Sequence, residues 1–399
     1  MERPTVSEYI ERCTRCGACK AKCPTYLEEL DESMSARGRL RLLHEFEGGR
    51  LQPSSLLKHK INACLHCGAC DAACPAGVEI QEAIFKGNSL LRPRSFWFRQ
   101  INRGALSVSR TNLFFKISRF MHFLIYKPLG FDRKIRRIPS PTATPFRQRQ
   151  MLFRKGISKG RVALFVGCSI NYLYPDIGED LLDILLNLGY EVVLRQGEVC
   201  CGAPVREAGY DDLVLDLARK NVDIFSGMHV EAILTACPTC TLTLKVQYPK
   251  LIKVQSDFID KIMDVNQFLA DRLDIKLGFS GRVFYHDPCH LLHGLSVRAE
   301  PRKLIKQTGA ELVTAQNEIG CCGFGGIFGF TNYGLSKKIG DRRRDEIIRT
   351  GAGTLITPCP GCKMQFEDSF KNDKKMRIMH SVEFLHEAMT SFRSNSNKQ

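Results

Sequence analysis

Apolar and polar positions along the 399-residue chain alternate between two periods. The runs 161–168 (RVALFVGC) and 282–289 (RVFYHDPC) are short and β-prone. Each stops at a cysteine, as a buried strand delivering a side chain at its end would. A helix-like run closing at glycine follows each, GEDLLDILLNLG in one case and EPRKLIKQTG in the other. A second helix-like stretch then follows each Cys-Cys-Gly, and a strand-like run (EAILTAC, GTLITPC) leads into each final Cys-x-x-Cys. VNQFLADRL and SVEFLHEAM supply matching closing helices. Strand and helix in alternation predict two α/β modules with mostly parallel sheets. No run of about 18 or more uninterrupted apolar residues occurs, so a membrane-spanning helix is not expected.

The same self-comparison organises all eighteen cysteines. Cys13, Cys16, Cys19 and Cys23 recur at Cys64, Cys67, Cys70 and Cys74 with a constant offset of 51 residues, and Pro24 and Pro75 follow the last of each set. Cys168, Cys200, Cys201, Cys237 and Cys240 recur at Cys289, Cys321, Cys322, Cys359 and Cys362, with offsets of 121 or 122. Between the two duplications, Ile138 to Pro145 (IPSPTATP) has no regular period and reads as a linker. The expected organisation is α+β and α/β multidomain. A helical two-cluster ferredoxin domain (1–90) is followed by a basic connector with its Pro-rich linker (91–160) and two repeated modules (161–280 and 281–399).

Composition narrows the chemistry. Charged residues make up 25% and hydrophobic ones 44%, an ordinary globular balance. The start, MERPTVSEYIERC, lacks the apolar stretch of a signal peptide, so a reducing cytoplasmic setting is expected, where cysteines more often hold metal than form disulfides. The N-terminal spacing C-x2-C-x2-C-x3-C-P is that of bacterial ferredoxins, in which the fourth cysteine serves the other cluster. It predicts one cubane [4Fe-4S] cluster on Cys13, Cys16, Cys19 and Cys74 and a second on Cys64, Cys67, Cys70 and Cys23. Gly17, Ala18, Gly68 and Ala69 let backbone amides reach the sulfurs. Zinc held by four thiolates is the alternative that the spacing disfavours.

The five-cysteine sets exceed what a tetrahedral zinc site uses, which favours a polynuclear cluster over zinc or a reversible disulfide. Their pattern, C-x31-CCG-x34-C-x2-C and its near copy, resembles the cysteine-rich CCG domain of heterodisulfide reductase. That resemblance implies one or two further, non-cubane [4Fe-4S] clusters. Over its full length the chain, including the SARGRLRLL segment (Ser35 to Leu43), is similar to the glycolate oxidase iron-sulfur subunit and to the related iron-sulfur component of anaerobic glycerol-3-phosphate dehydrogenase. Glycolate oxidase subunits often lack some module cysteines, whereas both sets are complete here, which pulls the chain toward heterodisulfide reductase. In the glycine-rich run after Cys322, Gly323, Gly325 and Gly326 are expected to let main chain pass close to a bulky cluster. His286, His290 and His293 stand as donors to the sulfurs, as alternative ligands, or as histidines with no metal role.

Charge is concentrated in the connector. Residues 91–161 carry 18 Lys and Arg against one acidic residue, Asp132, out of a net +16 for the chain. Leu113, Ile117, Phe120, Met121 and Leu124 fall on one helical face, with Ser118, Arg119 and His122 opposite. Two readings stand: peripheral contact through 91–137 with the inner face of the cytoplasmic membrane, or a helix packed on the ferredoxin domain or a partner subunit. Nucleic acid is not expected, because no binding module accompanies the charge.

No FAD or NAD fingerprint is present, and iron-sulfur clusters move electrons singly. A two-electron substrate therefore needs a cofactor on another chain. Together with the resemblance, this implies the electron-transfer subunit of a flavoprotein dehydrogenase oxidising a 2-hydroxy acid of the glycolate or lactate type. Its partners would be an FAD-containing subunit and quinone or another acceptor. The alternatives are a component like that of anaerobic glycerol-3-phosphate dehydrogenase, or a subunit that cleaves a disulfide at the clusters, with Cys321, Cys322, Cys200 and Cys201 as candidate catalytic residues.

Overall fold

The fold was obtained as a computed structural model, which describes residues 4–92, 96–126, 136–149, 152–153, 159–254, 256–273, 279–317, 319–373 and 375–396. Parts of the connector, 93–95, 127–135 and 154–158 among them, lie outside the described residues, so the membrane-contact stretch 91–137 is seen only in part.

The N-terminal part is helical. Its longest helices, Ala36–Glu47 and Ile80–Leu91, pack Leu40, Leu43, Ala83 and Ile84 into one apolar core with Val6, Tyr9 and Ile61. The 51-residue repeat is visible in the backbone as well. Gly17 and Gly68 take left-handed φ values of 82° and 71°, and Arg15 and His66, one repeat apart, take 57° and 49°. A non-glycine residue there costs roughly 1 kcal/mol or more, so the loop shape is enforced twice by its surroundings.

Two sheets follow. The first contains β1 (Leu152–Phe153), β2 (Gly160–Leu164), β3 (Tyr190–Leu194), β4 (Ala232–Thr235) and β5 (Ile262–Asp264), in the order β1-β3-β2-β4-β5. Among the described residues only β1 runs antiparallel, pairing Leu152 with Val193. The second contains β6 (Arg282–Tyr285), β7 (Glu311–Val313), β8 (Thr354–Thr357) and β9 (Arg377–His380), in the order β7-β6-β8-β9, all parallel. The β3-β2-β4-β5 and β7-β6-β8-β9 orders are the same arrangement used twice, as the sequence repeat requires. Short apolar runs such as VAL in β2 and all of β4 are buried on both faces, as parallel strands covered by helices are.

The modules share a core. Val162, Leu181 and Phe268 of the first lie in one apolar cluster with Leu304, Met364, Val382 and Leu385 of the second. Ile138 to Pro145 has no helix or strand, yet it is anchored, with Thr142 N donating to Tyr172 O at 2.8 Å. Just before it, Arg136 is fully buried and donates to Gln365 Oε1, Ser336 Oγ (both 2.7 Å) and Gly329 O (3.0 Å).

The connector helix Val108–Met121 rests on the first module through Phe115, stacked on Tyr172 at 4.0 Å, and Asn112, which accepts from the Tyr172 hydroxyl at 2.6 Å. Its apolar stripe, Leu113, Ile117, Phe120 and Met121, points outward and is exposed, as is Leu124 in the His122–Tyr126 turn that follows. Among the described residues no helix is long and apolar enough to cross a membrane.

Candidate metal centres

Sequence position and cavity agree closely in the N-terminal part. Cys13, Cys16, Cys19 and Cys74 line one cavity, and Cys23, Cys64, Cys67 and Cys70 line another, so the fourth cysteine of each run sits with the first three of the other. Backbone amides turn toward sulfur, with His66 N donating to Cys64 Sγ and Val78 N to Cys74 Sγ, both at 3.4 Å. The amide of Ala18 holds the exposed Cys16 thiol below its ordinary range. Burial pushes the Cys67 thiol up to about 12, and Cys70 well above the ordinary value. A buried thiol is a poor anion without a nearby cation. Two converging sets of four thiols, most of them wholly or partly buried and with amides aimed at them, suit a cationic cluster that would hold them as thiolates.

Two arginines that the sequence did not single out serve these cavities. They stand two residues apart at the start of the Ala36–Glu47 helix, in the SARGRLRLL segment. Arg37 lines the first cavity and donates to Arg15 O at 2.9 Å, and Arg39 lines the second. Arg39 is fully buried and donates to Lys60 O and Ala63 O (both 2.7 Å) and Thr25 Oγ1 (3.0 Å), with Cys23 Sγ 3.9 Å away. Gly38 between them is obligatory, since a Cβ there would stand 1.9 Å from Glu32 O.

In each module the cysteines gather at the carboxyl ends of the strands, where parallel α/β sheets place their ligands. Cys168 follows β2, Cys200 and Cys201 follow β3, and Cys237 and Cys240 follow β4. Their thiols lie near enough to shift one another's protonation, Cys168 with Cys200, Cys200 with Cys201, Cys201 with Cys240 and Cys240 with Cys237. Donation from Cys200 and Cys240 pulls Cys201 down to about 6, leaving its neighbours to keep the protons. Glu198, itself buried, accepts from Val166 N (3.0 Å) and Gly167 N (2.8 Å) and fixes the turn that carries Cys168.

The second module repeats this. The Cys321 and Cys322 thiols bear on each other, as do Cys359 and Cys362, and Cys322 Sγ lies 3.2 Å from Cys362 Sγ. Cys289 is buried near Cys322 and Cys359 without, among the described residues, a thiol partner of the kind Cys168 has. Gly202 and Gly323 turn left-handed after each cysteine pair (φ 94° and 87°) and donate to Cys200 Sγ and Cys321 Sγ at 3.4 and 3.3 Å. Gly325 and Gly326 do otherwise than expected. A Cβ on them would strike Leu65 and Glu207, so they admit the N-terminal part and the first module rather than a cluster.

The three histidines separate. His286 joins Cys322 and Cys362. His290 instead ties three parts together: its Nε2 donates to His66 O at 2.9 Å, and its Nδ1 accepts from the Thr239 hydroxyl at 2.9 Å. His293 lies beside Gly68. Through this junction Cys67 comes close enough to Cys289 and Cys321 that a negative charge on it would disfavour charge on either of them.

Comparison with known proteins agrees with this layout. A 4Fe-4S dicluster domain model matches residues 9–78, and a cysteine-rich CCG domain model matches 162–245 and 283–367. Lactate utilization protein A of a Geobacillus strain is 30% identical over 56% of this chain and 98% of its own length. The chain belongs to the same family as lactate utilization protein A, and carries a dicluster domain followed by two cysteine-rich CCG domains. The probable glycolate oxidase iron-sulfur subunit of Bacillus subtilis is 28% identical over 94% of this chain and 93% of its own length. A fumarate reductase (CoM/CoB) subunit of Methanothermobacter marburgensis is 29% identical over 94% of this chain and 72% of its own. Family membership supports an iron-sulfur protein with the role of an oxidoreductase subunit.

Proposed function

We propose that this chain is the electron-transfer subunit of a flavoprotein dehydrogenase that oxidises a 2-hydroxy acid of the glycolate or lactate type. Its parts would be the dicluster domain (1–90), the connector (91–160) and two modules (161–280, 281–399). Cubane [4Fe-4S] clusters would be held by Cys13, Cys16, Cys19 and Cys74 and by Cys64, Cys67, Cys70 and Cys23, and further clusters by the two five-cysteine sets. The observation that carries this reading is the gathering of all eighteen cysteines into four groups, with Cys67 of one close to Cys289 and Cys321 of the next.

Bound in these groups, iron-sulfur clusters supply one-electron exchange and nothing more, so the two-electron step belongs to an FAD-bearing partner. The chain's own residues keep water out of the buried groups, aim amides and arginines at sulfur, and hold neighbouring groups in fixed apposition. The outward stripe of the Val108–Met121 helix, amid a strongly basic connector, supports peripheral contact with an anionic membrane surface, where a quinone would accept the electrons.

Co-purification with the products of neighbouring genes tests the reading. A complex containing FAD, about sixteen irons per chain, and hydroxy-acid oxidation that fails without this subunit are expected. A stable complex lacking FAD, or undiminished oxidation without the subunit, would reject it.

A second reading is favoured by one observation, the completeness of both five-cysteine sets. In it the modules reduce a disulfide, with Cys321, Cys322, Cys200 and Cys201 nearest the reaction. Full disulfide reductase activity after Cys321→Ser and Cys322→Ser would remove it.

A further inference from the structure

The two modules differ inside the sulfur group itself. At the repeat offset of 121, His286 stands where the first module has Phe165. Phe165 is an ordinary core residue, tilted against Phe225 at 5.8 Å. His286 is just as buried, 1% exposed, but polar. One of its ring nitrogens, Cys322 Sγ and Cys362 Sγ all lie within 4.8 Å of one another. The ring is held in place: His286 N donates to Ile356 O at 2.9 Å, and Phe366 meets the imidazole edge to face at 4.8 Å. The ring is within hydrogen-bonding reach of the Cys322 thiol, while its Nδ1 is buried and has no hydrogen-bond partner among the described residues. A buried polar atom left unpaired costs roughly 1–3 kcal/mol, so the position is expensive unless something binds there. Imidazole beside thiolates is a donor set that iron accepts.

We propose that His286 is a sixth donor of the second module's centre, a nitrogen ligand to one of its irons, so that the repeated modules carry chemically different centres. The first is held by sulfur alone and the second by sulfur and one imidazole. This rests on the reading that the five-cysteine sets hold iron-sulfur clusters. It makes the duplication functional: two copies of one scaffold are tuned apart by a single side chain at the end of β6. In Rieske centres imidazole ligands raise the reduction potential, which gives such a substitution a known direction of effect.

The test uses the full chain, purified anaerobically after growth on 15N-histidine and reduced with dithionite. Iron and acid-labile sulfide are measured first, then pulsed EPR reads the nitrogen coupling. A coupling of iron-bound imidazole is expected in the wild type and in His290→Gln, and none in His286→Phe, which copies the first module. Should His286→Phe fold poorly by circular dichroism, His286→Gln serves in its place with the same expectation. A preparation with iron and sulfide in full amount but no nitrogen coupling, or coupling that survives loss of His286, overturns the proposal and leaves the cluster reading standing. Modules that contain zinc, or no iron, overturn the cluster reading and the proposal with it.

Discussion

Arg39 shows how one side chain can hold a cavity together. Its guanidinium is buried with no carboxylate beside it among its hydrogen-bond partners, and it satisfies two carbonyls and a hydroxyl, on Lys60, Ala63 and Thr25. The positive charge faces Cys23 and Cys64, which therefore hold it as much as it holds them. Arg39→Met would strand those three acceptors, at roughly 1–3 kcal/mol for each one left unpaired, less what water recovers; about 3–5 kcal/mol is the expected loss. Denaturant unfolding of the full chain measures it, and iron analysis should show about four irons fewer as the second cavity loses its cluster. Arg39→Lys keeps the charge but not the planar fork, and is expected to recover less than half of the lost stability. An Arg39→Met chain with wild-type stability and iron content would mean that the arginine merely fills space. Gly38 makes a separate steric demand. Gly38→Ala must push the turn at Glu32 aside, and Arg37 and Arg39 would move with it, so iron loss from both cavities is expected on the same assay.

At the level of elements, much of this was readable and some was not. The repeated runs made both modules and the strands that lead to cysteines legible, because the pattern along a chain fixes what lies at a strand's end. Spacing does not fix which strands become neighbours. Parallel pairing of β2 with both β3 and β4 depends on crossover helices, and nothing local encodes it. The connector helix was readable as amphipathic, but its outward stripe was not, since the anchor on the first module is Phe115 with Asn112. His380, the last residue of β9, is another such long-range contact. Its Nδ1 accepts from Val382 N at 3.2 Å, so Nε2 carries the proton and donates to Ala236 O at 3.0 Å, beside Cys237. Burial lowers its pKa from 6.5 to about 4. Because the folded value lies below the unfolded one, its contribution is present above pH 6.5 and is lost as the pH falls toward 4, by up to about 3 kcal/mol. Unfolding free energies between pH 8 and pH 5 should fall less steeply for His380→Asn than for the wild type. Equal slopes would place the acid sensitivity elsewhere.

Across the whole molecule, the N-terminal part docks against both modules through contacts that differ in strength. Lys338 with Glu29 and Arg342 with Glu28 are half-exposed surface pairs, worth at most about 1 kcal/mol each. Arg206 is different. It lies on the Ala203–Glu207 helix that follows Cys200, Cys201 and Gly202, is 1% exposed, grips both carboxylate oxygens of Glu82 at 2.5 and 3.3 Å, and covers the Phe85 ring at 4.1 Å. One face of Phe85 is stacked on His66, one of the two residues between Cys64 and Cys67, so this pair fixes the second cavity relative to the first module. Asn88 adds a hydrogen bond to Glu207 O at 2.9 Å, and Gly209 permits the approach, since a Cβ there would stand 2.4 Å from Asn88 O. Lys250 Nζ also lies 3.6 Å from Glu82 Oε1, so removing Arg206 leaves that carboxylate partly compensated, and the loss falls short of the roughly 3–5 kcal/mol of breaking an isolated buried pair. Arg206→Leu is still expected to uncouple the dicluster part from the modules. Calorimetry should split one unfolding transition into two, and protease should cut the connector faster. Exchanging the charges, with Glu82→Arg added to Arg206→Glu, should restore part of the coupling, because the pair survives in reverse. If Arg206→Leu unfolds in a single transition at the wild-type temperature, the docking is held by the shape of the Gly209 and Gly325 contacts. The same double exchange would then make no difference.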